Sequence, residues 1–214
     1  MKKYSKIKYL GDTENKGIFQ VKDDQIVAEI KYDGSNARFW LKDSEIKFGS
    51  RNVHDLDRDN QQFKDFIDYI LDNVNPNDLD ADLIYVGEFM VKHSLEYDWD
   101  NIPTFIGFDV LHKDTGQPLD YKIAIDKFEQ LGLEFAHIIF EGTVKEWEDE
   151  DKDPSSIESI YRDGQPEGVV IKNYNRSNQY GRPLFAKLVN DEFQEKKKAK
   201  FGQSKINKSN TPLL

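Results

Sequence analysis

The stretch Glu29-Ile30-Lys31-Tyr32-Asp33-Gly34-Ser35-Asn36 decides how the chain is read. An apolar run, Gln25-Ile26-Val27-Ala28, leads into it, and another, Ala37-Arg38-Phe39-Trp40-Leu41, leads out. Two such runs around Asp-Gly read as strand, tight turn, strand, because aspartate and glycine accept the backbone angles of a turn. Lys31 closes the first strand, where regular backbone fixes its position. Behind it stand an acidic side chain, a permissive glycine and two small polar groups. Alone, the stretch fits an ordinary hairpin with a surface lysine or a firmly held nucleophilic lysine.

Further out, residues 17–21, 25–30, 36–42 and 45–48 read as strands. Between 60 and 74 apolar side chains recur at Phe63, Phe66, Ile67, Ile70, Leu71 and Val74, the spacing of one helix face, and Asn75-Pro76 closes it. Residues 82–91 and 104–111 read as strands, 121–131 as a helix stopped by Gly132, and 133–140 as a strand. Residues 144–151 and 155–161 read as helices, 167–173 and 183–189 as strands, and 192–200 as a short basic helix before a frayed tail. Strands dominate and helices interrupt them singly. The expected fold class is α+β with mostly antiparallel sheets, rather than a doubly wound sheet. No Walker A sequence and no G-x-G-x-x-G occurs, so the usual glycine-rich phosphate cradles are excluded.

Composition narrows the chemistry. With 214 residues, one large domain or two small ones fit. The 14 Phe and 10 Tyr argue against disorder. The absence of cysteine excludes disulfides, thiolate zinc sites and cysteine nucleophiles. His54, His93, His112 and His137 lack metal-ligand spacing. No signal-peptide core and no run of transmembrane length is present, so a soluble intracellular protein without a membrane partner is expected. Net charge is −10, which alone speaks against a polyanion partner. From Glu192 onward, however, six lysines face two acids, a net +4 that leaves −14 for the rest.

Several strands carry one charge among apolar residues. They are Lys31, Glu88 in Val86-Gly87-Glu88-Phe89, Asp109 in Gly107-Phe108-Asp109-Val110, Glu167 and Lys172 at the ends of Glu167-Gly168-Val169-Val170-Ile171-Lys172, and Lys187 in Ala186-Lys187-Leu188. A charge is costly to bury unless paired, so these lysines and carboxylates could satisfy one another around a cleft. The alternative is simple alternation, with each charge on the wet face of a half-exposed sheet. Glu167 and Lys172 are five apart, which sends them to opposite faces unless the strand ends or twists there.

At this point the residues resemble a known family. Lys31-Tyr32-Asp33-Gly34 is similar to the nucleotidyl-lysine motif of polynucleotide ligases and capping enzymes. Ser50-Arg51, Gly87-Glu88, Phe105-Ile106-Gly107-Phe108-Asp109, Glu167–Lys172 and Lys187 resemble the motifs that follow, in family order. Ser35-Asn36 after the glycine, and the segment Tyr85–His93 with its Tyr/Trp loop, look like the ATP-dependent RNA ligase branch. The resemblance implies an ATP-grasp-like ligase adenylation domain. It implies that Lys31 attacks the α-phosphorus of ATP to give lysyl-AMP and pyrophosphate. A free lysine has a pKa near 10.4, and nearby cations with partial desolvation would depress it. Lys172 and Lys187 would supply cations and stabilise the phosphate, together with Mg²⁺ or Mn²⁺. Glu167 is the expected metal-side carboxylate. Glu88 and Arg51 would hold the ribose and its surroundings, and Phe108, rather than Phe105, would stack on adenine. Glu29 would accept from the adenine amino group, with Ile30 and Asn36 completing the nucleotide contacts. Asp109 is expected to satisfy backbone groups behind the site.

AMP would then pass to a nucleic acid 5′-phosphate, RNA rather than DNA, and a 3′-hydroxyl would displace it. Arg162, Arg176, Arg182 and the lysine-rich tail are the basic supply for substrate phosphates. His93, Tyr97 and Trp99 are further loop candidates for phosphate or base contacts. Two features depart from the pattern. The last motif in many relatives has two alternating lysines, whereas Phe185 and Val189 flank Lys187 here. Only 27 residues follow Lys187, too few for an appended β-barrel domain. The expected organisation is a nucleotidyltransferase domain over 1–190, a basic tail over 191–214 and a monomer. A DNA-nick ligase, a capping-type guanylyltransferase and a catalytically idle nucleotide- or RNA-binding module remain as alternatives.

Overall fold

The computed structural model describes residues 4–150, 156–190 and 193. In chain order the strands are β1 (Lys8–Tyr9), β2 (Gln25–Lys31), β3 (Ser35–Lys42), β4 (Glu45–Ser50), β5 (Leu83–Phe89), β6 (Phe105–His112), β7 (Glu134–Phe135), β8 (Ile138–Thr143), β9 (Gly168–Ser177) and β10 (Pro183–Val189). The helices are α1 (Lys64–Asn73), α2 (Tyr121–Gln130) and α3 (Val144–Asp149). The fold is α+β, and all strand pairs are antiparallel except β1 with β10 and β6 with β7. No helix among the described residues is long and apolar enough to cross a membrane.

The chain forms two compact units, each built on one five-stranded sheet. The first unit combines 33–91 and 102–136 with Tyr4 and Ser5, and its sheet order is β4-β3-β5-β6-β7. One sheet face carries Ala37, Phe39, Phe48, Tyr85, Phe89, Phe105 and Val110 in a core shared with Phe66, Ile67 and Ile70 of α1 and Phe128 of α2. The second unit combines 6–32, 92–101 and the residues from 137 onward, with sheet order β1-β10-β9-β2-β8. Ile26, Ala28, Val169, Ile171, Leu184 and Ala186 give it a core face, closed by Val144 and Trp147 of α3. Fully burying such a side chain contributes about 2 kcal/mol. A one-residue slip would turn each strand inside out, so the core faces fix the register, and the register fixes what the opposite faces display.

Several expectations are corrected. The Asp33-Gly34 turn is not a hairpin: β2 pairs with β8 and β9, whereas β3 pairs with β4 and β5. Residues 17–21 form successive turns instead of a strand. Gly17 has φ +93°, and Ile18 and Gln20 N–H groups bond back to Asn15 and Gly17 carbonyls. The strand expected over 133–140 is two strands in two sheets, β7 beside β6 and β8 beside β2. Residues 156–161 are not helical beyond a single 3₁₀ residue. The helix expected over 60–74 begins as turns and becomes α-helical at Lys64. The basic helix over 192–200 and the tail lie outside the described residues, apart from Phe193.

Candidate active site

The register of the second sheet assembles the lysine cluster. Opposite its core face, β2 displays Val27, Glu29 and Lys31, and β9 displays Gly168, Val170 and Lys172. Phe185, Lys187 and Val189 of β10 stand beside them, with Tyr9 of β1 next to Lys187. Gly168 faces Lys31 across the ladder, and a side chain there would run into the Leu188 carbonyl oxygen. Lys31 Nζ lies 2.5 Å from Glu167 Oε2, and it also donates to the Tyr32 carbonyl at 3.3 Å. Glu167 precedes β9, so alternation along the strand does not govern it. That resolves the odd spacing between Glu167 and Lys172. Tyr32 is buried between Tyr97 and Tyr161, with ring centroids 6.5 and 6.2 Å away, which anchors the backbone just after Lys31.

Lys172 Nζ pairs with Glu29 Oε1 at 2.9 Å, with side chains 0% and 3% exposed. Lys172 also lies 5.5 Å from the centre of the Phe185 ring. Ile30 is buried by alternation on the side of Ile26 and Ala28, and its N–H donates to the His137 carbonyl. Tyr97 is buried, whereas Trp99 donates to Glu96. Arg162 is tied to the Glu96 and Gln165 carbonyls and Arg176 to Asp24. Arg182 lies over Tyr180 at the tip of the β9–β10 hairpin, and His93 is exposed.

The first unit carries the other expected residues. Glu88 Oε1 accepts the Gly34 N–H at 3.1 Å, so it pins the turn that follows Lys31. Phe105 is fully buried in the core, whereas Phe108 is half-buried. Val86 pairs with Asp109 and Gly87 with Gly107, so Phe108 is the extra residue of a bulge, a device that re-aims a side chain. Tyr4 packs its ring 5.3 Å from that of Phe108 and donates its hydroxyl to Asp109, so Asp109 serves a side chain as well as lying behind Phe108. Arg51 is exposed just beyond β4.

The family model for RNA ligases matches residues 24–189. The chain belongs to the RNA ligase family. Solved structures similar to it include the Naegleria gruberi RNA ligase with pyrophosphate, at 19% identity and TM-score 0.64 over 93% of this chain and 58% of that one. An archaeal ATP-dependent RNA ligase is similar at 19% identity and TM-score 0.62, over 94% of this chain and 51% of that one. A mutant of the Naegleria gruberi ligase with AMP and Mn matches at 18% identity and TM-score 0.59, covering 92% of this chain and 58% of that one. At these identities the likeness is one of fold, and this chain spans between half and three-fifths of the length of those RNA ligases. No curated protein sequence matches it.

Within this RNA ligase fold, two features escaped the sequence reading. Tyr9 sits on a strand too short to announce itself. Arg38 lies on the β3 face that also carries Asn36, between Gly49 of β4 and Val86 of β5. It is 1% exposed, and its three guanidinium nitrogens have no hydrogen-bond partner among the described residues. Burial lowers its pKa. Both amide atoms of Asn36 are likewise unpartnered. Buried polar groups are normally paired, and replacing a buried charge by an apolar side chain of similar volume is often stabilising. Arg38→Met is therefore expected to raise stability by about 1–3 kcal/mol in urea denaturation. A fall in stability would show that the guanidinium is paired in solution.

Proposed function

We propose that this chain is an ATP-dependent RNA ligase acting through a lysyl-AMP intermediate. The observation that carries the reading is Lys31 at the end of β2, paired with Glu167 on a face shared with Lys172 and Lys187. Lys31 Nζ forms the bond to the α-phosphorus of ATP, and pyrophosphate leaves with the electrons of the broken P–O bond. The amine attacks only after losing its proton, and the Glu167 carboxylate favours the protonated form. Glu167 must therefore release Lys31 before attack. Lys172 and Lys187 offset the charge that grows on the phosphate oxygens. In the first unit, Arg51, Glu88 and Asn36 are assigned to the ribose and its neighbours, and Phe108 to the adenine. Glu29 keeps Lys172 in place, beside its assigned contact with the adenine amino group.

Among the described residues no three metal-ligating side chains cluster. A single carboxylate ligand such as Glu167, beside a phosphate substrate, would suit Mg²⁺ or Mn²⁺, which take most of their ligands from water and phosphate. Such an ion would polarise the phosphoryl group and neutralise charge on the leaving pyrophosphate. The AMP then passes to a 5′-phosphate of RNA, and a 3′-hydroxyl displaces it to close the strand. The chain is proposed to act as a monomer, with residues 1–190 as the nucleotidyltransferase domain.

The test is incubation of the protein with Mg²⁺ and α-labelled ATP, with GTP in parallel. Label from ATP should appear on a Lys31 peptide through an acid-labile bond. Absence of label, or label elsewhere, would overturn the reading. A chase with 5′-phosphorylated RNA, nicked DNA and splinted RNA then sorts the acceptor, with RNA expected to take the AMP.

A further inference from the structure

Tyr9 faces Lys187 in the parallel pairing of β1 with β10, and the same rung runs on through Val170 to Glu29. Lys187 Nζ stands 4.5 Å from the centre of the Tyr9 ring, the range of a cation–π contact. Burial raises the Tyr9 pKa first; the Glu167 carboxylate raises it further, and the Lys31 ammonium pulls it down. The phenol thus lies within electrostatic reach of both members of the Lys31–Glu167 pair. Lys172 is held in the same way, with its ammonium by the Phe185 ring. Phe185 stands two residues before Lys187 on the same face of β10. Lys172 and Lys187 on this face therefore each have an aromatic ring beside the ammonium.

We propose that Tyr9 is a positioning residue for the nucleotidyl transfer proposed above, acting through Lys187. Its ring holds the Lys187 ammonium on the face of Lys31, from which Lys187 meets the phosphates. A lysine on a four-carbon stem otherwise samples many rotamers, and the ring removes most of that freedom where β1 pairs with β10. The ring, not the hydroxyl, is the operative part.

The experiment compares wild type, Tyr9→Phe and Tyr9→Leu, alone and with Lys187→Met. Single-turnover labelling with α-labelled ATP is expected to slow about tenfold in Tyr9→Leu with little change in KM, and to stay within about threefold of wild type in Tyr9→Phe. In the Lys187→Met background, Tyr9→Leu should cause no further loss. A second readout needs no activity. Reductive methylation with ¹³C should give Lys187 a ring-shifted methyl signal in wild type and Tyr9→Phe that moves to the ordinary lysine position in Tyr9→Leu. Equal rates in wild type and Tyr9→Leu overturn the proposal, as does a Tyr9→Phe variant as slow as Tyr9→Leu, or an unshifted Lys187 signal in wild type. If wild type takes no label while the signal is shifted, the nucleotidyl-transfer reading is what fails, and the positioning role falls with it.

Discussion

Lys31→Arg and Lys31→Ala should both take up no label from ATP, a loss of more than about 10⁴-fold in the first step. The arginine variant is the informative one. A guanidinium keeps the positive charge and the reach to Glu167, but it stays protonated at any ordinary pH and cannot attack phosphorus. The Glu167 side chain that Lys31 pairs with is only 6% exposed, so Lys31→Ala, which strips the carboxylate of that ammonium, should lower the melting temperature, whereas Lys31→Arg keeps the charge and should melt close to wild type. The chemistry also predicts what survives. If RNA is supplied already bearing AMP on its 5′-phosphate, the nucleophile has no further bond to make, and Lys31→Arg should still seal it. Labelling of Lys31→Arg would show that another group is the nucleophile.

Glu29→Ala carries the largest expected cost in stability, about 3–5 kcal/mol. It removes the carboxylate 2.9 Å from an ammonium that is wholly buried. Desolvating that charge is tolerable only while the carboxylate offsets it. For a chain of this size the loss corresponds to roughly 10 °C in the melting of the second unit. Replacing both partners, Glu29→Leu with Lys172→Met, should restore most of the stability, since it leaves no orphaned charge, while labelling stays lost. A Glu29→Ala variant that melts like wild type would mean the pair is solvated and structurally idle.

Much of the lysine face could be read from residues alone, because a charge inside an apolar strand is anomalous wherever it occurs. Lys31, Glu88, Glu167, Lys172 and Lys187 stood out on that ground. Pairing partners were harder to see. An Asp-Gly step between two apolar runs has the local chemistry of a hairpin, yet the partners of β2 and β3 lie far away in sequence. The same blindness merged β7 with β8. The Ala136 N–H bonds to Gly107 and the Ile30 N–H to His137, so adjacent residues serve different sheets within one apolar run. Tyr9 was missed because a two-residue strand has no periodicity to detect. Arg38 sat in plain view, but its importance lies in what fails to contact it, and only coordinates reveal that.

The way the chain is shared between its sheets also sets the order in which they can be completed. The first sheet draws all its strands from residues 35–135, whereas β2 of the second needs β8 and β9 for neighbours. Closing so long a loop carries a large entropy cost, and contacts remote in sequence form slowly. During synthesis at about 5–20 residues per second, β2 emerges and must wait several seconds or more before its partners exist. The strand that ends in Lys31 is thus the earliest long strand to be made and among the last to be paired.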